Sequence, residues 1–157
     1  MEIRFAEAKD VTGILALLRQ VGRVHHEGRP DIFRAGAQKY GASQILAMLD
    51  SSKTPIFVAV EKEKVVGYGF CQVKVFDHDP VMVDRTEIYI DDICVDEACR
   101  SAGIGTAIYK EICRYAKMRR ADWITLNVWC CNESAMKFYE KLGMKPQKIG
   151  MEAKLED

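Results

Sequence analysis

The chain has 157 residues, of which 48% are hydrophobic and 29% charged, as expected of an ordinary globular protein with one core. Its formal net charge is zero, so it lacks the basic excess typical of proteins that bind nucleic acid or anionic membranes. No apolar run could span a bilayer, and the residues MEIRFAEAKD do not form a signal peptide. We therefore expect a single cytoplasmic domain over residues 1–157, with no membrane and no nucleic-acid partner.

Apolar residues recur with strand and helix periods in turn along the chain. Strands are predicted over residues 2–6, 55–60, 65–76, 85–95 and 122–129, and residues 144–155 are expected to supply the last strands. Helices are predicted from Val11, where Asp10 can cap the first turn, over 42–49, from about 103, and over 134–142. This order indicates one α/β sandwich with a mixed sheet. Within strand 65–76, Gly67 and Gly69 indicate a bulge or a close backbone contact.

A short loop, Arg100-Ser101-Ala102-Gly103-Ile104-Gly105, joins a predicted strand to a predicted helix. Its glycines permit a tight turn and close approach of a ligand to the backbone. The helix N-terminus offers N–H groups and the positive end of its dipole, and Arg100 adds a forked donor suited to phosphate. The loop therefore predicts a phosphate site. The alternative is a glycine-capped helix that binds nothing.

Residues downstream of this loop decide between these readings. The R-x-x-G-x-G pattern of the loop is followed by a predicted strand and then by Asn132-Glu133-Ser134-Ala135-Met136-Lys137-Phe138-Tyr139-Glu140-Lys141-Leu142-Gly143-Met144. This order resembles the GNAT superfamily of acetyl-CoA-dependent N-acetyltransferases, with Met144 in the usual place of an aromatic residue. The resemblance covers roughly residues 85–145. It implies a mixed, mostly antiparallel sheet of six or seven strands with about four helices, acetyl-CoA as co-substrate, a primary amine as acceptor, and a homodimer.

The resemblance also implies which residues bind the cofactor. Arg100 and the backbone N–H groups of residues 101–106 would hold the pyrophosphate. The backbone of residues 93–95 would pair with the pantetheine arm like an added strand, and the N–H of Cys94 would polarise the thioester carbonyl. Asn132 would contact the cofactor arm, although it could equally cap a helix. The predicted cofactor-binding residues are Ile93, Cys94, Val95, Arg100, Ser101, Ala102, Gly103, Ile104, Gly105, Thr106, Asn132 and Tyr139.

The catalytic acid and base are predicted from the same resemblance. Tyr139 matches the family tyrosine that protonates the departing thiolate; the alternative is an aromatic residue that only packs beside Phe138. Residues 89–92, Tyr-Ile-Asp-Asp, resemble the Tyr-x-Glu-Asp segment of diamine and polyamine acetyltransferases. This makes Asp91 the leading base and Asp92 a positioning group. The alternative is that both carboxylates cap backbone N–H groups at a strand kink.

Further residues are candidates for binding the acceptor amine. Strand alternation places Asp91 on one face with Glu87, Tyr89 and Ile93, and Asp92 on the other face with Ile88, Ile90 and Cys94. The negative charge of these carboxylates favours a small, polyamine-like cation. The candidate acceptor-binding residues are Glu87, Tyr89, Asp92, His26 and Phe33.

No metal site is predicted. The spacings of the six cysteines match no zinc pattern, and the pair His25-His26 has no further candidate ligands beyond Glu27. Two other functions stay open at this point: an acyl-CoA-binding sensor without turnover, and a transferase of another acyl group.

Overall fold

The structure, a computed structural model, describes residues 1–156, and the chain divides into two units at Asn127/Val128. The first unit contains β1 (Glu2–Phe5), α1 (Val11–Gly28), α2 (Ala42–Leu49), β2 (Ile56–Glu61), β3 (Lys64–Phe76), β4 (Arg85–Val95), α3 (Ile104–Met118) and β5 (Trp123–Leu126). The second unit contains α4 (Glu133–Lys141). Within residues 1–156, no helix is both long enough and apolar enough to cross a membrane.

The five strands form one sheet in the order β1-β2-β3-β4-β5. Neighbouring strands are antiparallel except β4 and β5, which are parallel and are connected through α3. The predicted α/β fold with a mixed, mostly antiparallel sheet is therefore confirmed, as is the number of helices. The sheet has five strands, however, and not the six or seven that were expected.

The difference lies in the C-terminal segment. Described residues 144–156 contain no strand, and the apolar residues Ile149, Met151 and Leu155 are exposed there. A strand needs a neighbour that satisfies its N–H and C=O groups, and apolar alternation alone does not supply one. Pro146 also lacks a backbone donor. The predicted homodimer, which relied on these last strands, stays a prediction.

Helices pack on both faces of the sheet and bury two apolar layers. On one face, α1 and α2 cover the first layer, which contains Val11, Ile14, Leu17, Leu18, Ile45, Ile56, Val58, Val65, Tyr68, Phe70 and Cys94. On the other face, α3 covers the second layer, which contains Phe57, Ala59, Val66, Cys71, Ile88, Ile90, Ile104, Ile108, Ile112, Tyr115 and Ala116. Both faces of the central strands are thus buried.

Gly67 and Gly69 let α3 lie close to β3. A Cβ on Gly69 would stand 2.9 Å from Cγ2 of Ile108 and 3.0 Å from Cδ1 of Ile112. A Cβ on Gly67 would meet the same helix and the carbonyl oxygen of Cys94, at 3.0–3.2 Å. Both predicted features are present: Gly67 and Gly69 make the close contact, and Val66, next to Gly67, is an extra residue of β3, because Ala59 of β2 pairs with Gly67 and Val60 pairs with Val65.

Asp10 does not cap α1 with its side chain, contrary to the prediction. Its carboxylate instead accepts hydrogen bonds from Arg4 at 2.7 Å and from the N–H of Glu7 at 2.8 Å, across a short 3₁₀ turn at Ala8–Asp10. Burial alone would raise the pKa of Asp10, but the bonds from Arg4 and Glu7 and the charge of Arg4 outweigh it, so the pKa is lowered. A buried carboxylate takes the strongest donor in reach, and here that donor is the guanidinium on β1.

Candidate active site

A β-bulge interrupts β4. Phe70 of β3 pairs with Asp92, and Cys71 pairs with Ile90, so Asp91 is an extra residue without a partner in the register. An extra residue of this kind interrupts the alternation of side chains and bends the strand. The bulge lies in the second half of β4, close to Val95, where the strand ends and the chain continues toward the glycine loop.

The bulge corrects the predicted faces of β4. Ile88 and Ile90 belong to the layer beneath α3, and Ile93 and Val95 pack against the same layer. The period of two is therefore broken once between Ile90 and Ile93. Asp91 and Asp92 were predicted on opposite faces, but their hydrogen-bond partners Tyr40 and Tyr68 both belong to the α1–α2 layer. The sheet thus presents both carboxylates on one side.

The two carboxylates have different partners. A single oxygen of Asp91, Oδ2, accepts a hydrogen bond from the Tyr40 hydroxyl at 2.7 Å and pairs with Nζ of Lys39 at 2.9 Å. Asp92 Oδ2 accepts a hydrogen bond of 2.6 Å from the Tyr68 hydroxyl. Burial first, and then the charge of Asp91, raise the pKa of Asp92 to about 6, although Tyr68 and Lys39 oppose the shift. Asp92 is therefore suited to accept a proton near neutral pH.

Beyond the bulge, β4 has an open edge. β5 pairs only with residues Glu87–Ile90 and ends at Leu126, and no other strand of residues 1–156 pairs with β4 on that side. On the opposite side of β4, the backbone N–H of Asp96 donates to the carbonyl oxygen of Val66 on β3. Cys94, two residues before Asp96, pairs with Tyr68 of β3. Because hydrogen-bonded pairs alternate in an antiparallel ladder, the N–H of Cys94 points toward β3. The open edge therefore carries the backbone groups of Ile93 and Val95, not the N–H of Cys94 as the sequence suggested.

The glycine loop leads from this edge into α3. Gly103 is the N-cap residue and adopts φ = 77°, in the left-handed region that favours glycine. As a glycine, it has no side chain that could cap the helix. The loop residues Ser101, Ala102 and Gly103 are exposed, whereas Ile104, the first residue of α3, is buried. The N-terminus of a 15-residue helix, with Gly105 and Thr106 in its first turn, thus opens at the surface.

Arg100 lies beside the same loop. Its side chain is exposed, and Nε donates to the carbonyl oxygen of Val95 at 3.4 Å. Just before it, buried Asp96 accepts hydrogen bonds from Lys64 at 2.8 Å and from the N–H of Ala98 at 3.2 Å, and Gln20 of α1 lies within 3.4 Å. These bonds fasten the entry to the loop to both α1 and β3.

The remaining acceptor candidates on β4 have structural partners. Glu87 is buried and accepts hydrogen bonds from Arg85 at 2.7 Å and from Thr125 at 3.1 Å. Tyr89 accepts a hydrogen bond from Asn127 at 3.3 Å, and Nζ of Lys74 lies 3.7 Å from the centre of its ring. Both residues therefore tie β4 to its neighbours at the end that β5 covers.

His26 and Phe33 shape the segment that follows α1. His26 Nδ1 donates to the carbonyl oxygen of Phe33 at 2.7 Å, and the rings of His25 and Phe33 stack with centroids 4.9 Å apart. Burial, and then the charge of Lys39, lower the pKa of His25. No group of three or more His, Cys, Asp or Glu side chains in residues 1–156 is arranged to hold a metal ion.

The two remaining predicted residues lie in the second unit, on α4. Asn132 is the N-cap of this helix: its side chain accepts a hydrogen bond of 3.2 Å from the N–H of Ala135. Tyr139 lies seven residues further along, half-buried, with its ring 5.0 Å from that of Phe138 in an edge-to-face arrangement. The capping role weighed for Asn132 is thus present.

Sequence reasoning missed three residues that surround the carboxylates: Lys39, Tyr40 and Tyr68. Tyr40 contacts Asp91 across 51 positions of the chain, and Tyr68 contacts Asp92 across 24. Lys39 and Tyr40 lie in the irregular segment before α2, which has no periodic pattern. For Tyr68, the one sequence signal was its position between Gly67 and Gly69.

Comparisons with known proteins show which sequences and folds this chain resembles. A model of the acetyltransferase (GNAT) family matches residues 23–144. The uncharacterized N-acetyltransferase MJ1207 of Methanocaldococcus jannaschii is 31% identical over 94 residues, which are 59% of this chain and 40% of that protein. The chain thus matches about two fifths of the length of this curated relative.

Solved structures share the fold over the whole chain. A mutant of the BH1408 protein from Bacillus halodurans has 36% sequence identity and a TM-score of 0.94, with 99% of each chain covered. The aminoglycoside N-acetyltransferase AAC(6')-Iy, solved in complex with CoA, has a TM-score of 0.73 at 12% identity, with 99% of this chain and 100% of that chain covered. At 12% identity the likeness concerns the fold alone.

Proposed function

The chain belongs to the acetyltransferase (GNAT) family, and from this premise we propose that it transfers an acetyl group from acetyl-CoA directly to a primary amine. Both substrates are bound together, and the amine attacks the thioester carbonyl without a covalent enzyme intermediate. Holding the two reactants in contact supplies much of the rate, so few protein groups are needed.

The observation that carries the proposal is the open edge of β4 next to the exposed N-terminus of α3. The helix N-terminus and Arg100 bind the pyrophosphate of acetyl-CoA. The pantetheine arm then runs back along β4 and pairs with Val95 and Ile93 like an added strand. Because this direction leads from the loop toward the bulge, the thioester lies near Ile93, and the N–H of Ile93 polarises its carbonyl.

The acceptor lies at the bulge, on the side of Asp91 and Asp92. Asp92 is the general base in this proposal, although the sequence favoured Asp91. Asp91 is bound by Lys39 and Tyr40 through one oxygen, whereas the pKa of Asp92, raised to about 6, matches a base that works near neutral pH. The negative charge of the pair attracts an amine that arrives as an ammonium ion.

Tyr139 protonates the thiolate of CoA as it leaves. This role is supported by its place in the N-x-x-A-x-x-F-Y pattern of α4, whose N-cap is Asn132. Asp92 first takes a proton from the ammonium ion, and the neutral amine then attacks the thioester carbonyl. As the C–N bond forms and the C–S bond breaks, Tyr139 gives its proton to the thiolate, and the second proton lost from nitrogen restores the Tyr139 hydroxyl through solvent. Asp92 then releases its proton to solvent, and the products are an N-acetyl amine, CoA and one proton.

The proposal is tested by calorimetric titration with acetyl-CoA together with an assay of free-thiol release over a panel of primary amines. Micromolar binding with thiol release by one class of amine is the expected result. Binding without release for any amine would favour an acyl-CoA sensor, and release with a longer acyl-CoA alone would favour another acyl donor. Absence of binding would contradict the assignment of the glycine loop.

A further inference from the structure

Lys39 forms an ion pair with Asp91, the carboxylate next to the proposed base. Lys39 stands in the irregular segment before α2, and its Nζ is 2.9 Å from Oδ2 of Asp91 and 5.6 Å from the centre of the Tyr40 ring. The Lys39 side chain is half exposed, with 49% of its area accessible, whereas that of Asp91 is 9% exposed. The carboxylate of Asp91 is thus nearly buried, and its ion-pair partner Lys39 lies at the surface.

The side chains of Asp91, Asp92 and Lys39 at the bulge together carry one net negative charge. Asp91 and Asp92 carry two negative charges, and Lys39 neutralises one of them. Burial raises the pKa values of the Tyr40 and Tyr68 hydroxyls, so both stay neutral hydrogen-bond donors. The lowered pKa of His25 keeps that ring neutral at neutral pH. One of the two carboxylate charges is therefore not balanced by a cation among these groups, and a single ammonium ion would neutralise it.

We propose that Lys39 determines acceptor specificity by acting as a built-in counter-ion of Asp91, so that the enzyme takes amines with a single positive charge and discriminates against diamines. This inference rests on the proposed function, because it assumes that the acceptor binds at Asp92. A linear diamine would bring its second ammonium ion next to that of Lys39, and like charges at that distance repel each other. The charge balance of the site thus argues against the polyamine-like acceptor that the sequence favoured.

The test compares n-butylamine with 1,4-diaminobutane as acceptors at saturating acetyl-CoA. Lys39→Met keeps an unbranched side chain that is one atom shorter and removes its charge, and Lys39→Arg is the matched control that keeps the charge. We expect the wild type and Lys39→Arg to have the higher kcat/KM for n-butylamine. In Lys39→Met, the ratio of kcat/KM values should move toward the diamine by up to about fivefold, the size of a partly exposed ion pair. Circular dichroism establishes that each variant is folded.

Several results would overturn the inference. A wild type that uses the diamine as well as the monoamine would contradict it, and so would a ratio that does not change in Lys39→Met. Binding of acetyl-CoA without thiol release from either amine, in both the wild type and Lys39→Met, would show that the carboxylate pair does not receive such acceptors. Absence of acetyl-CoA binding would instead overturn the proposed function itself.

Discussion

At the scale of single residues, Asp91 and Asp92 are neighbours in sequence with different surroundings. Asp91 shares one oxygen between an ammonium and a phenol, whereas Asp92 is half-buried and accepts a hydrogen bond from one phenol. Desolvation disfavours the charged form of Asp92, and the negative charge of Asp91 adds to this effect. Two identical side chains therefore have different proton affinities, and only the packing around them distinguishes the proposed base.

The pH dependence of turnover tests this distinction. We expect kcat/KM for the acceptor to fall as the pH drops through about 6, because Asp92 then gains a proton and no longer acts as a base. Asp92→Asn should lower kcat/KM at pH 7.5 by about 10²-fold or more and abolish this acidic limb. Asp91→Asn is the matched control: it removes a nearby negative charge, so the limb should remain and move to lower pH. A limb that persists in Asp92→Asn would assign the base elsewhere.

Tyr139→Phe tests the proposed acid. Removal of the hydroxyl should lower kcat by about 10²-fold, a typical contribution of general acid catalysis, and leave the Kd for acetyl-CoA nearly unchanged. Rapid-quench and steady-state assays with the same acceptor give the rate, and calorimetry gives the Kd. Tyr109→Phe on α3 removes a hydroxyl outside the proposed site and should leave kcat as it is. Equal rates for Tyr139→Phe and the wild type would remove Tyr139 from the mechanism.

At the scale of elements, the position of α3 depends on two glycines of β3, Gly67 and Gly69, which have no side chains to hold the helix away. The helix carries the proposed pyrophosphate site at its N-terminus, and its residues Ile108 and Ile112 lie directly on Gly67 and Gly69. Close packing of this kind positions a functional helix end without any polar contact. The bulge in β4 acts in the same way on the other side of the chemistry, since one extra residue brings two carboxylates to the same face.

Gly69→Ala tests the contact between β3 and α3. The added Cβ would stand 2.9 Å from Cγ2 of Ile108, and because Ile108 and Ile112 are fully buried, the helix must shift. We expect a loss of about 1–3 kcal/mol in the free energy of unfolding, measured with urea, as is typical of overpacked cores. In Gly150→Ala, where nothing lies within 4 Å of the new Cβ, the change should stay within about 0.5 kcal/mol. Equal stability of Gly69→Ala and the wild type would mean that the helix yields without cost.

At the scale of the whole molecule, acetyl-CoA should stabilise the folded chain, because it binds the native state alone. At a concentration of 100 times Kd the gain is about 2.7 kcal/mol, which corresponds to a rise of roughly 5–10 °C in Tm for a chain of this size. Differential scanning calorimetry with and without acetyl-CoA measures this shift.

Arg100→Ala should remove a large part of the rise in Tm. The loss of a charged hydrogen bond to the pyrophosphate weakens binding by about 1.5–3 kcal/mol. Arg114→Ala is the matched control, since Arg114 is an exposed arginine on α3 that pairs with Glu111. A full shift in Arg100→Ala would contradict its assignment to the cofactor.

The sequence by itself determined the first five strands, the four helices, the mixed sheet, the family and the glycine loop, because these depend on local periodicity and on residue spacing within short segments. Tertiary structure alone decided the rest. The extra residue at Asp91 follows from strand pairing with β3, and this pairing corrected the predicted faces of β4 and the direction of the Cys94 N–H. Residues 144–156 alternate like a strand but have no neighbouring strand in the described chain. Lys39, Tyr40 and Tyr68 reach the carboxylates only after folding, because contacts between distant residues leave no mark in local sequence patterns.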